Sequence, residues 1–217
     1  MKFYVKGARL MWAESLFTAK ANAPTPDNPN PKPKYQGTFV VEPGTLAFAG
    51  DAHPEGPVGA TKGYKFGPFK PELSKAILAV STEKFGPKAQ TILAKLKAQN
   101  RLVLHDGAEK GEKAGYVGNF YFNASNATRP AMRMLNGAQV EGKDGVFYPG
   151  CYVDGVFDVW AFPQRESVNI SVLAVTFVRD GERIAGGVSA SEDDYAPVAE
   201  AAQQAAADTG KGAASLF

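Results

Sequence analysis

Cysteine and histidine are scarce in this sequence of 217 residues, which holds one cysteine and two histidines. The single Cys151 cannot form an internal disulfide, and neither histidine lies near a Cys-x-x-Cys pair, so a zinc site is not expected. No run of about 18 apolar residues is present to cross a membrane, and residues 1–6 lack the apolar segment of a signal peptide. We therefore expect a cytoplasmic protein in a reducing compartment.

The motifs of common catalytic sites are also missing. The glycine-rich stretch 44–67 never supplies the G-x-x-x-x-G-K-[ST] pattern of a phosphate-binding loop. Residues 187–191 resemble a serine nucleophile elbow but end in serine where the sharp turn uses glycine. Asp193 and Asp194 follow the last predicted strand, where a solvated acidic segment is a better interpretation than a metal or acid–base site. We predict a non-enzymatic protein that uses no cofactor and no metal.

Charge is distributed unevenly along the chain. The formal net charge is +2, but residues 188–217 hold five acidic residues and one lysine, which makes −4 and leaves +6 for the remainder. A basic body with an acidic tail is typical of proteins that hold polyanions. An acidic tail can also serve solubility alone, and charge by itself leaves both interpretations open.

Apolar residues recur with two different periods. Alternation predicts about five strands, at residues 2–20, 35–42, 116–124, 150–162 and 168–179. Leu73, Ile77 and Val80 recur with helical spacing and predict a helical section over 71–99, which Gly86 and Pro87 can divide in two. The proline-rich segment 22–34 and the glycine-rich segment 44–69 are expected to be loops.

This order of elements favours a mainly β fold. We expect an OB-fold-like Greek-key barrel of about five strands, with a helical insertion between the second and third strands. On periodicity alone the OB-fold is one of several small barrels that fit. Residues 1–195 would form this domain and residues 196–217 a flexible C-terminal tail. Apolar side chains placed on the inner faces are expected to form the core, among them Leu10, Trp12, Phe39, Phe120, Phe122 and Phe157.

Basic and aromatic residues are interleaved along the predicted strands. Single-stranded nucleic acid is held by cations that follow its phosphates and by aromatic faces on which bases stack. Aromatic residues in a barrel also pack in the core, so each candidate has that alternative. The candidates are Lys32, Lys34, Tyr35, Lys110, Lys113, Tyr116, Tyr121, Arg129, Arg133, Tyr152 and Trp160.

Several motifs of the C-terminal half occur in a characteristic order, at residues 118–125, 129–130, 148–153, 156–162, 178–182 and 192–195. Together they resemble a family of tailed-phage single-stranded DNA-binding proteins with an OB-fold. The Pro-Gly-Cys-Tyr strand at 149–152 and the Arg-Asp-Gly-Glu turn at 179–182 are the most specific of them. The resemblance extends from about Lys34 to Tyr195.

The resemblance implies non-sequence-specific binding to single-stranded DNA during phage replication, recombination or repair, in the cytoplasm of the infected bacterium. It also implies that the acidic tail, with Asp208 and the terminal Phe217, contacts the phage DNA polymerase or other replication proteins. No membrane partner is expected, and monomer and dimer both remain open. The alternative is a virion structural or assembly protein that does not bind DNA.

Overall fold

The computed structural model describes residues 1–24, 29–50, 64–142 and 144–184. Met1–Ile184 form one compact unit. In chain order its elements are β1 (Lys2–Leu10), α1 (Glu14–Phe17), β2 (Tyr35–Val41), β3 (Leu46–Ala49), β4 (Gly67–Pro68), α2 (Phe69–Phe85), α3 (Ala89–Ala98), β5 (Leu104–Asp106), β6 (Phe120–Asn126), β7 (Ala131–Met134), β8 (Tyr152–Phe162) and β9 (Ser167–Arg179). Among the described residues, none of the helices combines the length and apolar character that a membrane crossing requires.

The five predicted strands correspond to the five long ones, β1, β2, β6, β8 and β9. The first is shorter than the predicted 2–20, because β1 ends at Leu10 and the short helix α1 follows it. The helical insertion is also confirmed, with α2 and α3 separated by a short 3-10 turn at Gly86–Lys88. Four further strands, β3, β4, β5 and β7, contain only two to four residues each, too few to show an alternating pattern. The prediction of loop throughout 44–69 is therefore wrong at β3 and β4. The predicted tail, 196–217, lies outside the described residues.

One sheet contains all nine strands of the described part of the chain. Its main path runs β5-β6-β2-β1-β8-β9-β7, and β3 pairs with both β1 and β4. All pairs are antiparallel except β7 with β9. The sheet does not close into the expected barrel, because the two ends of the path, β5 and β7, do not pair with each other. Strand β6 nevertheless approaches β9, since the Asn126 side-chain amide donates to the Val172 carbonyl oxygen at 2.9 Å.

A cluster of phenylalanine rings fills the inside of the curved sheet. Phe39, Phe122 and Phe157 are fully buried, as expected, with ring centroids 4.9 to 5.3 Å apart. Phe69, at the start of α2, stacks on Phe122 at 5.5 Å and joins the helix to the sheet. Phe120 is only partly buried, and the Lys70 ammonium group lies 3.4 Å from its ring centroid. The helical insertion therefore covers the core that the sheet leaves open.

Trp12 was expected in the core but lies on the surface, with 57% of the residue exposed. Strand β1 ends at Leu10, and the next residue, Met11, is buried and donates its backbone N–H to Thr38. The chain then leaves the sheet, so alternation along β1 no longer determines where Trp12 points.

Candidate nucleic-acid interface

A groove of about 690 Å³ lies beside the half of the β8–β9 hairpin that contains its turn. The hairpin, from Trp160 to Ser171, forms one wall. Strand β6 and the segment between α3 and β5 form the other. We call this the basic groove, and its lining contains the cations Lys34, Arg101 and Arg165, the aromatic residues Trp160 and Phe162, His105, and several amides and hydroxyls, including Asn123, Ser125, Asn126, Asn169 and Ser171.

The hairpin wall presents two aromatic rings to the groove. In register, Trp160 pairs with Asn169 and Phe162 pairs with Ser167, so both rings lie on one face of β8. The Trp160 indole N–H donates to the Ser171 hydroxyl at 2.9 Å, which orients the ring. The two ring centroids lie 6.2 Å apart at 72°. Because Trp160 and Phe162 are 38% and 36% exposed, each keeps an accessible surface on which a base can stack.

The tip of the hairpin is tied to helix α3. The chain reverses through Pro163–Arg165 and through Glu166, which adopts a left-handed backbone conformation. The Glu166 carboxylate accepts from the Lys95 ammonium group at 2.7 Å. This hydrogen bond and the charge of Lys95 lower the pKa of Glu166. The turn leaves Arg165 exposed in the lining of the groove.

The opposite wall is built on the outward face of β6. Phe122 and Ala124 point into the core, so Asn123 and Ser125 point outward. The Thr38 hydroxyl on β2 donates to the Asn123 side-chain carbonyl at 2.7 Å, which leaves the amide NH₂ group of Asn123 to donate elsewhere. Asn126 is held in turn by its bond to β9. The polar groups of this wall are therefore oriented by neighbouring strands.

Charge in the basic groove has one sign. Three cationic side chains line it, and none of the described lining residues is aspartate or glutamate. The cations come from three places, before β2, after α3 and at the hairpin tip. A polyanion in the groove would meet them without facing a carboxylate in the lining. Cations beside exposed aromatic rings and amides form the combination that single-stranded nucleic acid requires.

Part of the predicted site is assembled here. Lys34 and Trp160 line the basic groove. Tyr35 begins β2 opposite Asn126 and is partly buried, and Lys32 is exposed three residues earlier in the chain. Two of these four candidates thus line the groove, and the other two are close to Lys34 in the sequence. The role of all four in binding stays a prediction.

Tyr116 and Tyr121 are only 5% and 4% exposed, so the prediction that they present free faces for stacking is wrong. Both pack in a second apolar cluster with Met11 and Val40. Burial raises the pKa of both phenols. The Tyr121 ring also stacks on His105, with centroids 5.1 Å apart. Alternation correctly placed Tyr121 opposite Phe122, but a second layer of residues covers that face of β6 at this position.

The remaining candidates lie away from the groove lining. Arg129 has its guanidinium carbon 5.6 Å from the Phe17 ring, and Arg133 belongs to β7 at one end of the sheet path. Tyr152 lies at the opposite end of β8 from Trp160, about 26 Å away along an extended strand. The guanidinium carbon of Arg179 lies 3.4 Å from the centroid of the Tyr152 ring and covers one face of it. Tyr152 and Trp160 therefore share a face of β8, but their rings are far apart.

Lys110 and Lys113 are exposed, and their role in binding stays a prediction. The Lys110 ammonium group lies 5.0 Å from the centroid of the buried Tyr121 ring, at the end of the 3-10 turn Gly107–Lys110. Neither lysine lines the groove. Asp208 and Phe217, the predicted partner contacts, lie outside the described residues.

Sequence reasoning missed several groove residues. Phe162 could have been found, because it follows Trp160 by two positions on the same strand. Arg101 and Arg165 lie outside any strand and carry no periodic signal. Asn123 faces outward by the alternation of β6, but nothing in the pattern marks it as a binding residue. Among the described residues, no group of three or more His, Cys, Asp or Glu is arranged to hold a metal.

Comparison with known proteins decides the family. Residues 69–207, more than half of the chain, match the model of a family described as the single-stranded DNA-binding protein of Enterobacter phage Enc34. This chain belongs to that family. The resemblance inferred from the motifs of the C-terminal half is thereby confirmed.

Two further comparisons agree with membership of the Enc34 family. Protein p50 of Acyrthosiphon pisum secondary endosymbiont phage 1 is 35% identical over 127 residues, which cover 57% of this chain and 68% of p50. The structure of the bacteriophage Enc34 single-stranded DNA-binding protein in complex with single-stranded DNA has a TM-score of 0.55 at 19% identity, covering 85% of this chain and 89% of that one. A second structure of the Enc34 protein, covering 89% of both chains, has a TM-score of 0.53 at 18% identity. At these identities the structural likeness shows a shared fold.

The burial of Tyr121 leads to a prediction about stability. Replacing Tyr121 by alanine removes a ring that packs on Tyr116, Val40 and His105, so we expect a loss of about 3 kcal/mol or more in the free energy of unfolding. Chemical denaturation followed by circular dichroism measures it. Tyr121→Phe is the control, because it keeps the ring and loses only the hydroxyl bond to Glu109 at 3.3 Å. A Tyr121→Ala variant of unchanged stability would contradict the buried position.

Proposed function

We propose that this protein binds single-stranded DNA without sequence preference along the basic groove, as a non-enzymatic protein of phage DNA replication, recombination or repair in the cytoplasm of the infected bacterium. The observation that carries the proposal is the meeting of Lys34, Arg101 and Arg165 with the exposed rings of Trp160 and Phe162 in one groove. Membership of the Enc34 family supports it independently.

The chemistry of the groove favours single strands over duplex. Stacking on Trp160 or Phe162 requires an unpaired base with a free face, whereas the bases of a duplex already stack on their neighbours. The three cations provide attraction to phosphates that does not depend on sequence. The amide and hydroxyl groups of the walls can bond to bases or to the backbone, and they do not impose one base at each position.

Titration of a labelled 30-nucleotide strand and of a duplex of the same length, over a series of salt concentrations, tests the proposal directly. We expect tighter binding to the single strand. The logarithm of its binding constant should fall with the logarithm of salt concentration with a slope of about −2 or steeper, since each neutralised phosphate of a single strand contributes about −0.7. Fluorescence anisotropy measures both. Equal binding to both forms, or binding to neither, would show that the proposal is wrong.

Arg165 provides a test of the location. It lies in an exposed turn, so Arg165→Ala should leave the fold intact, weaken binding to the single strand and reduce the magnitude of the salt slope by about 0.7. Lys84→Ala is the control, because Lys84 is exposed on α2 and does not line the groove. The same anisotropy titration compares them. Equal slopes for the two variants would place the phosphate contacts elsewhere.

We also propose that the acidic C-terminal tail contacts the phage DNA polymerase or another replication protein, with Asp208 and Phe217 as the contact residues. The proposal is supported by the charge of the segment 188–217, which is opposite to that of the remainder of the chain. Deletion of residues 188–217 removes all of this charge together with Asp208 and Phe217. It should leave binding to single-stranded DNA intact or stronger and should abolish binding to the polymerase in a surface-plasmon-resonance assay. Weaker DNA binding after the deletion would contradict this role.

A further inference from the structure

A second depression, of about 480 Å³, continues from the basic groove. Asn123 and Ser125 of β6 line both, so the two form one continuous surface across this strand. The depression passes over Gln36 and Thr38 of β2 and is bounded at its far side by Trp12. We call it the Trp12 pocket. Each of the two contains one exposed tryptophan, Trp160 in the basic groove and Trp12 in the Trp12 pocket.

Trp12 is held with much of its ring open to solvent. The residue is 57% exposed, whereas the preceding Met11 is buried in the cluster around Tyr116. Burial raises the pKa of Tyr116, and the neighbouring Trp12 side chain acts in the opposite direction, which places the indole close to the buried phenol. A single exposed apolar residue needs no functional explanation by itself. Trp12 differs because its ring borders a polar pocket that is continuous with the basic groove.

The lining of the Trp12 pocket is neutral. No lysine, arginine, aspartate or glutamate is found among its described residues, which instead offer the amides of Asn22, Gln36 and Asn123 and the hydroxyls of Ser15 and Thr38. Phosphate would find no cation there. A nucleobase would find an aromatic face on which to stack, together with amide groups of the kind that bond to base edges.

We infer that the Trp12 pocket binds a nucleobase of the same DNA strand whose phosphates lie in the basic groove. This inference rests on the proposed function and extends the binding site from the β8–β9 hairpin across β6 to the end of β1. Most of the pocket is built from residues before 40, and the family match begins at residue 69. Membership of the Enc34 family therefore does not by itself imply this subsite.

The chain contains only two tryptophans, one at each place, so each can be observed alone. In Trp160→Phe, emission comes from Trp12; in Trp12→Phe, it comes from Trp160. Both variants keep an aromatic ring. We expect saturation with a 16-nucleotide strand to quench the emission of both proteins and to reduce the access of acrylamide to both indoles, because a stacked base covers the ring.

An affinity measurement complements the emission. Trp12→Ala should weaken binding to the 16-nucleotide strand by roughly 5- to 150-fold, the range expected for one stacked base. The salt slope should stay unchanged, because no cation is found among the described residues that line the pocket. Val117→Ala is the matched control, since Val117 is also 57% exposed but lies outside both linings. Thermal melts confirm that the variants are folded.

The outcomes separate the inference from the proposed function. If the strand quenches Trp160 but leaves Trp12 emission and acrylamide access unchanged, or if Trp12→Ala binds as tightly as Val117→Ala, the subsite is refuted and the basic groove stands. If the unmodified protein does not bind the strand, the proposed function itself is refuted. A Trp12→Ala variant that binds less tightly with a reduced salt slope would assign phosphate contacts to this pocket, and would also overturn the inference.

Discussion

The packing of Phe122 governs what this protein presents to its surroundings. The ring lies between those of Phe39, Phe69 and Phe157, with centroids 5.2 to 5.5 Å away. Successive residues of a strand face opposite sides of the sheet, so burying Phe122 turns Asn123 outward. Asn123 lines both the basic groove and the Trp12 pocket. The same contacts that stabilise the core therefore also fix the register of the binding surface.

The β8–β9 hairpin supplies the second requirement, a wall that stands opposite β6. Its strands contain 11 and 13 residues and are the longest of the structure. Their length carries Trp160 and Phe162 to the groove, and the bond between Lys95 and Glu166 holds the tip against α3. The helical insertion thus has two roles: Phe69 covers the core, and Lys95 positions the wall that carries the aromatic rings.

Charge and stacking are divided between the two parts of the surface. The basic groove combines cations with rings, so its contribution to affinity depends on salt. The Trp12 pocket is neutral, and stacking there depends little on salt. A DNA strand that occupies both surfaces would be attracted by the cations of the basic groove and held in part by stacking in the Trp12 pocket. This division lets the protein hold DNA with the three cations found among the described residues of the groove lining.

Local patterns in the sequence specify the five long strands, the divided helical insertion and the buried rings of Phe39, Phe122 and Phe157, and the ordered motifs identify the family. These follow from local periodicity and from ordered motifs, which neighbouring residues encode. The site depended on tertiary structure. Lys34, Arg101 and Arg165 meet because the sheet curves and the hairpin extends, whereas Tyr121 loses its free face to a second layer of residues that alternation cannot reveal. Trp12 became exposed because the chain leaves β1 at Leu10, beyond the last position at which alternation specifies a side.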